Sequence, residues 1–202
     1  LRGLLLRTLG TLGDDPEVIR AARVIEESED DVDVEVRDAS LTVAANHGDL
    51  ADFDRFLERS RTAPTPQLTV KYLRAAAQVP HPEVSVRLVD AILSGAIKSQ
   101  DSFWVLAILL GHRENGPATW SLVMERWDDL MAVLAPNHRY RILDAIKYRS
   151  EPDVAASIKG WFEDHTIEGA EKAISQRLEM IDVRVGLRER EAERLGGHLR
   201  HG

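Results

Sequence analysis

The sequence predicts an all-α fold, in which pairs of helices stack into a right-handed α-α superhelix of the HEAT or armadillo kind. Apolar residues recur at spacings of three and four along nearly the whole chain, which is the period of an amphipathic helix. Prolines and N-capping side chains divide the chain into short segments. The segment starts recur every 33 to 35 residues, a period typical of helical solenoids. An irregular helical bundle is the alternative.

The apolar stripes follow one another along the chain, and each must be buried against a neighbouring helix. Members of successive stripes are Val18, Ala22 and Ile25; Leu50, Phe53 and Leu57; Val84, Leu88 and Ile92; Trp120, Val123 and Trp127; and Ala170, Ile174, Ile181 and Val185 in a long last helix. The densest apolar run, Phe103–Leu110, also predicts a buried helix. Because all four tryptophans fall on such stripes, we expect them in the core.

Proline marks the helix starts, since its missing N–H would have no partner at the first helical position. The starts are Asp15-Pro16, Thr65-Pro66, His81-Pro82 and Gly116-Pro117, and further N-cap candidates are Asp49 and Ser99. Five units of two helices are therefore predicted to begin near positions 16, 49, 82, 117 and 152. We expect a single domain over 1–195 and a flexible tail over 196–202.

Two segments permit a second interpretation. Val32–Val36 alternates apolar and acidic residues like a strand, but with Ala39 and Val43 it also fits a helical stripe, and we predict a helix. The acidic run Glu26–Asp31 lacks the glycine and terminal glutamate of an EF-hand calcium loop. It is therefore interpreted as a solvated corner between helices.

Composition excludes several function classes. The net charge of −8 disfavours a nucleic-acid partner, since binding of the phosphate backbone usually needs a basic face. The chain has no cysteine, which excludes disulfides and thiolate chemistry and suits a cytoplasmic location. No apolar run approaches the roughly 18 residues of a membrane span, so no membrane partner is expected. The first residue is Leu1, within an apparent helix, and we interpret the chain as a segment of a longer protein.

Catalytic and metal-binding motifs are not evident in the sequence. The seven histidines form no H-E-x-x-H, the pattern that places two zinc ligands and a general base on one helix. His198 and His201 lie in the predicted tail, where a frayed terminus is the preferred interpretation. Neither a phosphate-binding glycine loop nor a nucleophile elbow is present. We therefore predict no catalytic residue, no metal and no cofactor in this chain.

One basic and aromatic stretch has the composition of a site for peptide carboxylates or carbonyls, because guanidinium groups pair bidentately with carboxylates. It comprises Arg126, Arg139, Arg141, Lys147 and Arg149 with Tyr140 and Tyr148. The candidate substrate contacts are Arg139, Tyr140, Arg141 and Tyr148. The alternative is a solvated helix face paired with Glu125, Asp128, Asp129 and Asp144.

An ordered series of short motifs extends along the chain. It comprises Leu1-Arg2-Gly3-Leu4-Leu5-Leu6 before Gly13-Asp14-Asp15-Pro16; Ala44-Ala45-Asn46-His47-Gly48-Asp49 with Phe53; Leu73-Arg74-Ala75-Ala76; Ser99-Gln100-Asp101; Trp120 with Trp127-Asp128-Asp129-Leu130; and Trp161-Phe162. In order and spacing the series resembles the C-terminal helical domain of zinc aminopeptidases of the aminopeptidase N, puromycin-sensitive and endoplasmic-reticulum types, over 1–195. The chain departs from it in lacking the usual tryptophan within Val183–Leu187 and in having Tyr148 for a phenylalanine.

This resemblance implies a non-catalytic domain that packs on an upstream catalytic domain and walls the chamber of a peptide substrate. It also implies that zinc and catalysis belong to that upstream domain of a metallopeptidase hydrolase. The expected partners are the parent's catalytic domain and a peptide. The alternatives are a free-standing helical-repeat scaffold that binds a partner protein on its concave face and, disfavoured by charge, a HEAT-like nucleic-acid repair enzyme.

Overall fold

The computed structural model describes residues 1–28 and 30–201, with side chains up to 197. All regular elements in this part are helices, so the all-α prediction is confirmed. None of the described helices is both long and apolar enough to span a bilayer. Contacts divide the chain into two compact units, Leu1–Leu88 and Val89–Gly202. The single domain over 1–195 and the tail over 196–202 stay predictions. Within that tail, residue 202 and the side chains of His198 and His201 lie outside the described part.

Among the described residues, the first unit consists of five helices and the start of a sixth. They are α1 (Arg2–Thr11), α2 (Pro16–Glu27), α3 (Val34–Asn46), α4 (Leu50–Thr62), α5 (Pro66–Ala77) and α6 (Pro82–Leu93), which continues into the second unit. The predicted caps are confirmed where the Asp15 carboxylate accepts from Glu17 and Val18 N–H at 2.9 and 3.0 Å. Asp49 forms a capping box with Asp52. The helical interpretation of Val32–Val36 is confirmed from Val34 onward.

The second unit follows with α7 (Ser99–Gly111), α8 (Asn115–Glu125), α9 (Trp127–Val133), α10 (Pro136–Arg139), α11 (Ile142–Ile146), α12 (Pro152–Asp164) and α13 (Glu171–His201). The predicted N-cap role of Ser99 is wrong. Lys98 occupies that position, and the Ser99 hydroxyl instead donates to Val133 O at 3.0 Å and accepts from Ala135 N at 3.2 Å. The hydroxyl therefore links the start of α7 to the end of α9.

The fourth repeat unit, predicted as two helices, consists of the four short helices α8 to α11. Arg126 separates α8 from α9, because its backbone angles of φ −109° and ψ 22° depart from those of a helix. Pro136 then prevents α9 from continuing as a helix, because the residue before a proline is biased away from helical angles. Ala135 has φ −58° and ψ 137°. The predicted tryptophan core is also wrong at one position. Trp104 is 42% exposed, whereas Trp120 and Trp127 are 1% and 6% exposed.

The contact between α1 and α3 is made by small residues. A Cβ atom on Gly10 would lie 2.6 Å from both methyl carbons of Val43, and one on Gly3 would lie 2.6 Å from Glu35 O. Contacts this short are not tolerated, so only glycine permits the two helices to approach so closely. The His47 ring adds a 2.6 Å hydrogen bond to Gly10 O. The buried side of α1 is therefore its glycine side.

Most large apolar side chains of α1 lie on its other side. Leu4, Leu5 and Leu9 of α1 are 65%, 52% and 46% exposed, and Leu12, which directly follows the helix, is 82% exposed. An amphipathic helix ordinarily buries its leucines and exposes its small or polar residues. In α1 this arrangement is inverted, and we call the exposed side, made of these four residues, the leucine face.

Ion pairs join α2 to α4 in the first unit. The Glu26 side chain is 3% exposed, and its carboxylate receives Arg55 Nη1 at 2.8 and 3.0 Å and Arg59 Nη1 at 2.5 Å. The predicted solvated corner is therefore wrong at Glu26. Asp52 accepts from Arg55 at 2.7 Å and Arg23 at 3.2 Å. Partial burial alone would raise the pKa of Asp52, but these guanidinium groups and its bond to the Asp49 N–H hold that pKa below its usual value.

Candidate functional site

The four residues predicted to contact substrate lie on α10 and in the turns before and after α11, within the second unit. Arg139 is the last residue of α10, and Tyr140 and Arg141 connect it to α11. Tyr140 and Tyr148 are 40% and 52% exposed, whereas both arginines are half-buried. The aromatic members are therefore the more accessible pair.

Both arginines of this group make contacts within the fold. Arg139 Nε donates to Leu134 O at 3.3 Å. The Arg141 guanidinium lies 5.0 Å from the Phe103 ring centre and 5.9 Å from the Tyr140 ring centre, within reach of cation–π attraction. Packing of this kind orients the guanidinium groups before any ligand binds. Their role as substrate contacts stays a prediction.

Tyr148 lies in a different setting, beside the last helix. Arg184 and Lys147 lie 4.8 and 5.0 Å from the centre of its ring. Tyr148 and Ser150 line one side of a groove of about 310 Å³, and residues of α13 from Arg184 to Leu195 line the other. We call this the Tyr148 groove.

The rest of the predicted basic stretch is structural. Arg149 is 5% exposed, and its guanidinium donates to Gly111 O and His112 O, both at 3.2 Å, at the end of α7. Burial lowers its pKa from the ordinary value, an effect that Glu151 opposes by its charge. Asp144 receives Lys147 at 3.2 Å and Arg177 at 2.8 Å.

These contacts divide the stretch into two parts. The Lys147–Asp144 pair matches the predicted alternative of a charged helix face, and Arg126 likewise pairs with Glu125 at 3.4 Å. Arg149, in contrast, is buried, so neither the site nor the solvated-face interpretation describes it.

A basic groove in the first unit was missed by sequence analysis. It lies along α3 and α5 near Arg7 of α1, and its volume is about 520 Å³. Its cations are Arg7, Lys71 and Arg74, its one carboxylate is Asp38, and apolar and amide side chains complete the lining. We call it the cation groove. Lys71 and Asp38 form an ion pair across it.

Part of the signal for the cation groove is present in the sequence. Lys71, Arg74 and Gln78 lie three and four residues apart, which places them on one face of α5. The contribution of Arg7 comes from a helix more than 50 positions earlier and depends on the close packing of α1 on α3. A local pattern cannot reveal that second part.

The acidic and histidine side chains of the described residues form no group of three or more that could hold a metal ion. His165 stacks on Trp161 with ring centres 3.5 Å apart, and its Nδ1 lies 2.9 Å from Trp161 O. This histidine is therefore placed by α12 as a packing residue. His198 and His201 lie outside the described side chains.

Comparison with known proteins gives a consistent result. The family model for the ERAP1-like C-terminal domain matches residues 1–183. Among curated proteins, the chain is similar to aminopeptidase M1-A of Oryza sativa subsp. japonica, with 23% identity over 194 residues. The alignment covers 91% of this chain and 22% of that relative, so the chain spans about a fifth of the relative's length.

Proposed function

Because the chain belongs to the family of ERAP1-like C-terminal domains, we propose that it is the non-catalytic C-terminal domain of a zinc-dependent aminopeptidase. In this proposal it packs on the catalytic domain that precedes it and walls the chamber that holds the peptide substrate. Zinc and the hydrolytic residues belong to the preceding domain, and the parent enzyme acts in the cytoplasm. The similarity to a rice aminopeptidase, of which the alignment covers 22%, supports the assignment of catalysis to another domain.

The leucine face of α1 is the observation that carries the packing proposal. Four leucines between 46% and 82% exposed lie at the start of the chain, on a helix whose glycines occupy its buried side. Burial of a leucine stabilises a contact by roughly 1.5–3 kcal/mol, so this face has more to gain from a partner than from water. A contiguous apolar surface of this kind is typical of an interaction site. We assign it to the preceding domain.

Substitution of the leucine face tests this assignment. We expect Leu5→Asp and Leu9→Asp to weaken the association of this chain with the separately produced preceding part of its parent by at least about tenfold. A buried carboxylate without a partner would oppose docking. Isothermal titration calorimetry measures the affinity, and Val24→Asp, which changes an exposed apolar residue of α2, is the matched control.

The thermal midpoint of each variant should stay within about 2 °C of the parent chain, because both leucines are at least 46% exposed. Unchanged affinity in both variants would contradict the assignment. It would favour the alternative in which the chain is a free-standing scaffold for another protein.

The cation groove supports the peptide-contact part of the proposal. It combines three cationic side chains and one carboxylate with amide donors and apolar walls, which suits the carboxylates and backbone carbonyls of an extended peptide. A groove on this domain would lie away from the reacting bond, so it would contact only the far part of a long substrate. Binding there would depend on peptide length.

Peptide length therefore provides the second test. In the complete parent enzyme, we expect the double variant Arg7→Gln/Lys71→Gln to raise KM for peptides of about ten residues roughly fivefold, since each charge at the surface contributes up to about 1 kcal/mol and Asp38 offsets part of the charge of Lys71. The kcat/KM for a single aminoacyl-anilide should not change. Tyr140→Ala, measured in parallel, tests the contact predicted from the sequence. Equal effects on long and short substrates would contradict a role for the cation groove.

A further inference from the structure

The Tyr148 groove contains exposed apolar surface that the rest of the fold leaves uncovered. Tyr148, Leu187 and Leu195 are 52%, 52% and 59% exposed. The α13 side of the groove, from Arg184 onward, lies past the family match, which ends at residue 183. The family match therefore does not include the α13 side of this groove.

We infer that the Tyr148 groove is the docking site for a second copy of this chain, through an antiparallel pair of α13 helices. The residues Arg184, Arg188, Glu191 and Leu195 line the groove. They are spaced four, three and four residues apart, which is the spacing of a seam between two packed helices. The seam carries both charge signs along one helix face.

When two copies of this seam are related by a two-fold axis, the charges of one copy are complementary to those of the other. An antiparallel partner whose axis passes midway between Arg188 and Glu191 places each Arg188 opposite the Glu191 of the other copy. The same register places Leu195 opposite the aliphatic stem of Arg184, and Leu187 opposite Ala192. Closed two-fold pairing of one patch with itself is the commonest form of homodimer. A parallel pair would instead place like charges together.

The contacts that the seam residues make within the chain are weak, so contacts with a second copy could replace them. Glu191 forms an i,i+3 ion pair with Arg194, at 3.4 Å, and the Arg194 side chain is 81% exposed. Arg188 reaches Ser150 Oγ at 3.4 Å. Exposed pairs of this kind contribute at most about 1 kcal/mol. An interchain pair flanked by leucines would be better shielded from water.

The expected dimer is weak. The seam covers twelve residues, or about 18 Å of helix, which is short of the roughly 1,200 Å² that stable interfaces bury. We expect a dissociation constant in the micromolar range. Two copies of the chain would therefore separate on dilution.

Charge exchange between two variants tests the pairing. Sedimentation velocity from about 5 to 500 µM should show the mass rising from 22.6 kDa towards twice that value. Each of Arg188→Glu and Glu191→Arg should weaken self-association at least about tenfold, since like charges then face each other. An equimolar mixture of the two variants should restore it, because both facing pairs are again opposite in sign.

The chains used should all carry Leu5→Asp, so that the leucine face cannot act as a competing contact and the result is independent of the proposed function. Glu193→Arg, an exposed change on the opposite side of α13, is the matched control and should leave the dimer unchanged. Circular dichroism verifies equal helix content. A monomer at every concentration, single variants that associate like the parent chain, or a mixture that stays monomeric would each overturn the inference.

Discussion

Replacement of Arg149 by methionine is expected to lower the free energy of unfolding of the second unit by about 2 kcal/mol. The last carbonyls of a helix have no intrahelical donor. The Arg149 guanidinium donates to Gly111 O, at the last residue of α7, and to His112 O, at the residue that follows it. A positive charge there also complements the helix dipole. Methionine fills the space of the aliphatic stem but donates nothing. Gly111 O then loses the donor that Arg149 supplies, at a cost of roughly 1–3 kcal/mol, whereas His112 O keeps the Gly116 N–H at 2.9 Å.

The cost is reduced because the variant no longer buries a guanidinium. Urea denaturation followed by tryptophan fluorescence measures the effect, since all four tryptophans lie in the second unit. Arg126→Met is the control. Arg126 is 42% exposed and pairs with its exposed neighbour Glu125, so a change below about 0.5 kcal/mol is expected. Equal stability of the two variants would show that Arg149 is not a helix-capping residue.

Replacement of Glu26 by glutamine is expected to destabilise the first unit by about 2–3 kcal/mol. Glutamine has nearly the same shape as glutamate, so the change in stability reports the loss of the carboxylate charge. The carboxylate of Glu26 holds two guanidinium groups, and hydrogen bonds to charged groups are worth about 1.5–3 kcal/mol each. Burial alone would lower the pKa of Arg55, but Asp52 and Glu26 together raise it above its ordinary value. Arg55 and Arg59 are 30% and 39% exposed, so water compensates for part of the loss.

Glu58→Gln is the matched control on the same unit. Glu58 is 65% exposed, and its oxygen lies 3.8 Å from Arg61. Surface pairs of this kind contribute between 0 and about 1 kcal/mol. Urea denaturation followed by circular dichroism compares the two variants. A loss at Glu26 no larger than at Glu58 would refute the assignment of a buried ion-pair centre between α2 and α4.

The helices were predictable because their signals are local. Proline and side-chain caps act within one turn, which is why α2, α4, α5, α6 and α12 begin within one residue of the predicted starts. Four short helices replaced a predicted pair where Arg126 changes the backbone direction, since no strong local signal marks that residue. Trp104 is exposed because Phe103, its neighbour, occupies the core-facing position of α7.

The candidate sites were less predictable because they depend on distant residues. Arg149 has the composition of a binding residue, and only its contacts with the end of α7, 37 and 38 positions earlier, reveal a structural role. The cation groove likewise requires α1, α3 and α5 to be placed side by side. Glu26 was assigned to a solvated corner because the sequence around it is acidic, whereas its two partners lie on α4.

The inverted arrangement of α1 has a consequence for how the parent enzyme would unfold. If the leucine face is covered by the preceding domain, the leucines of α1 belong to a hydrophobic core that neither domain completes alone. Denaturation of either domain would then expose that shared core and lower the stability of the other. The parent should therefore melt as one cooperative block, and Leu5→Asp should separate that single transition into two.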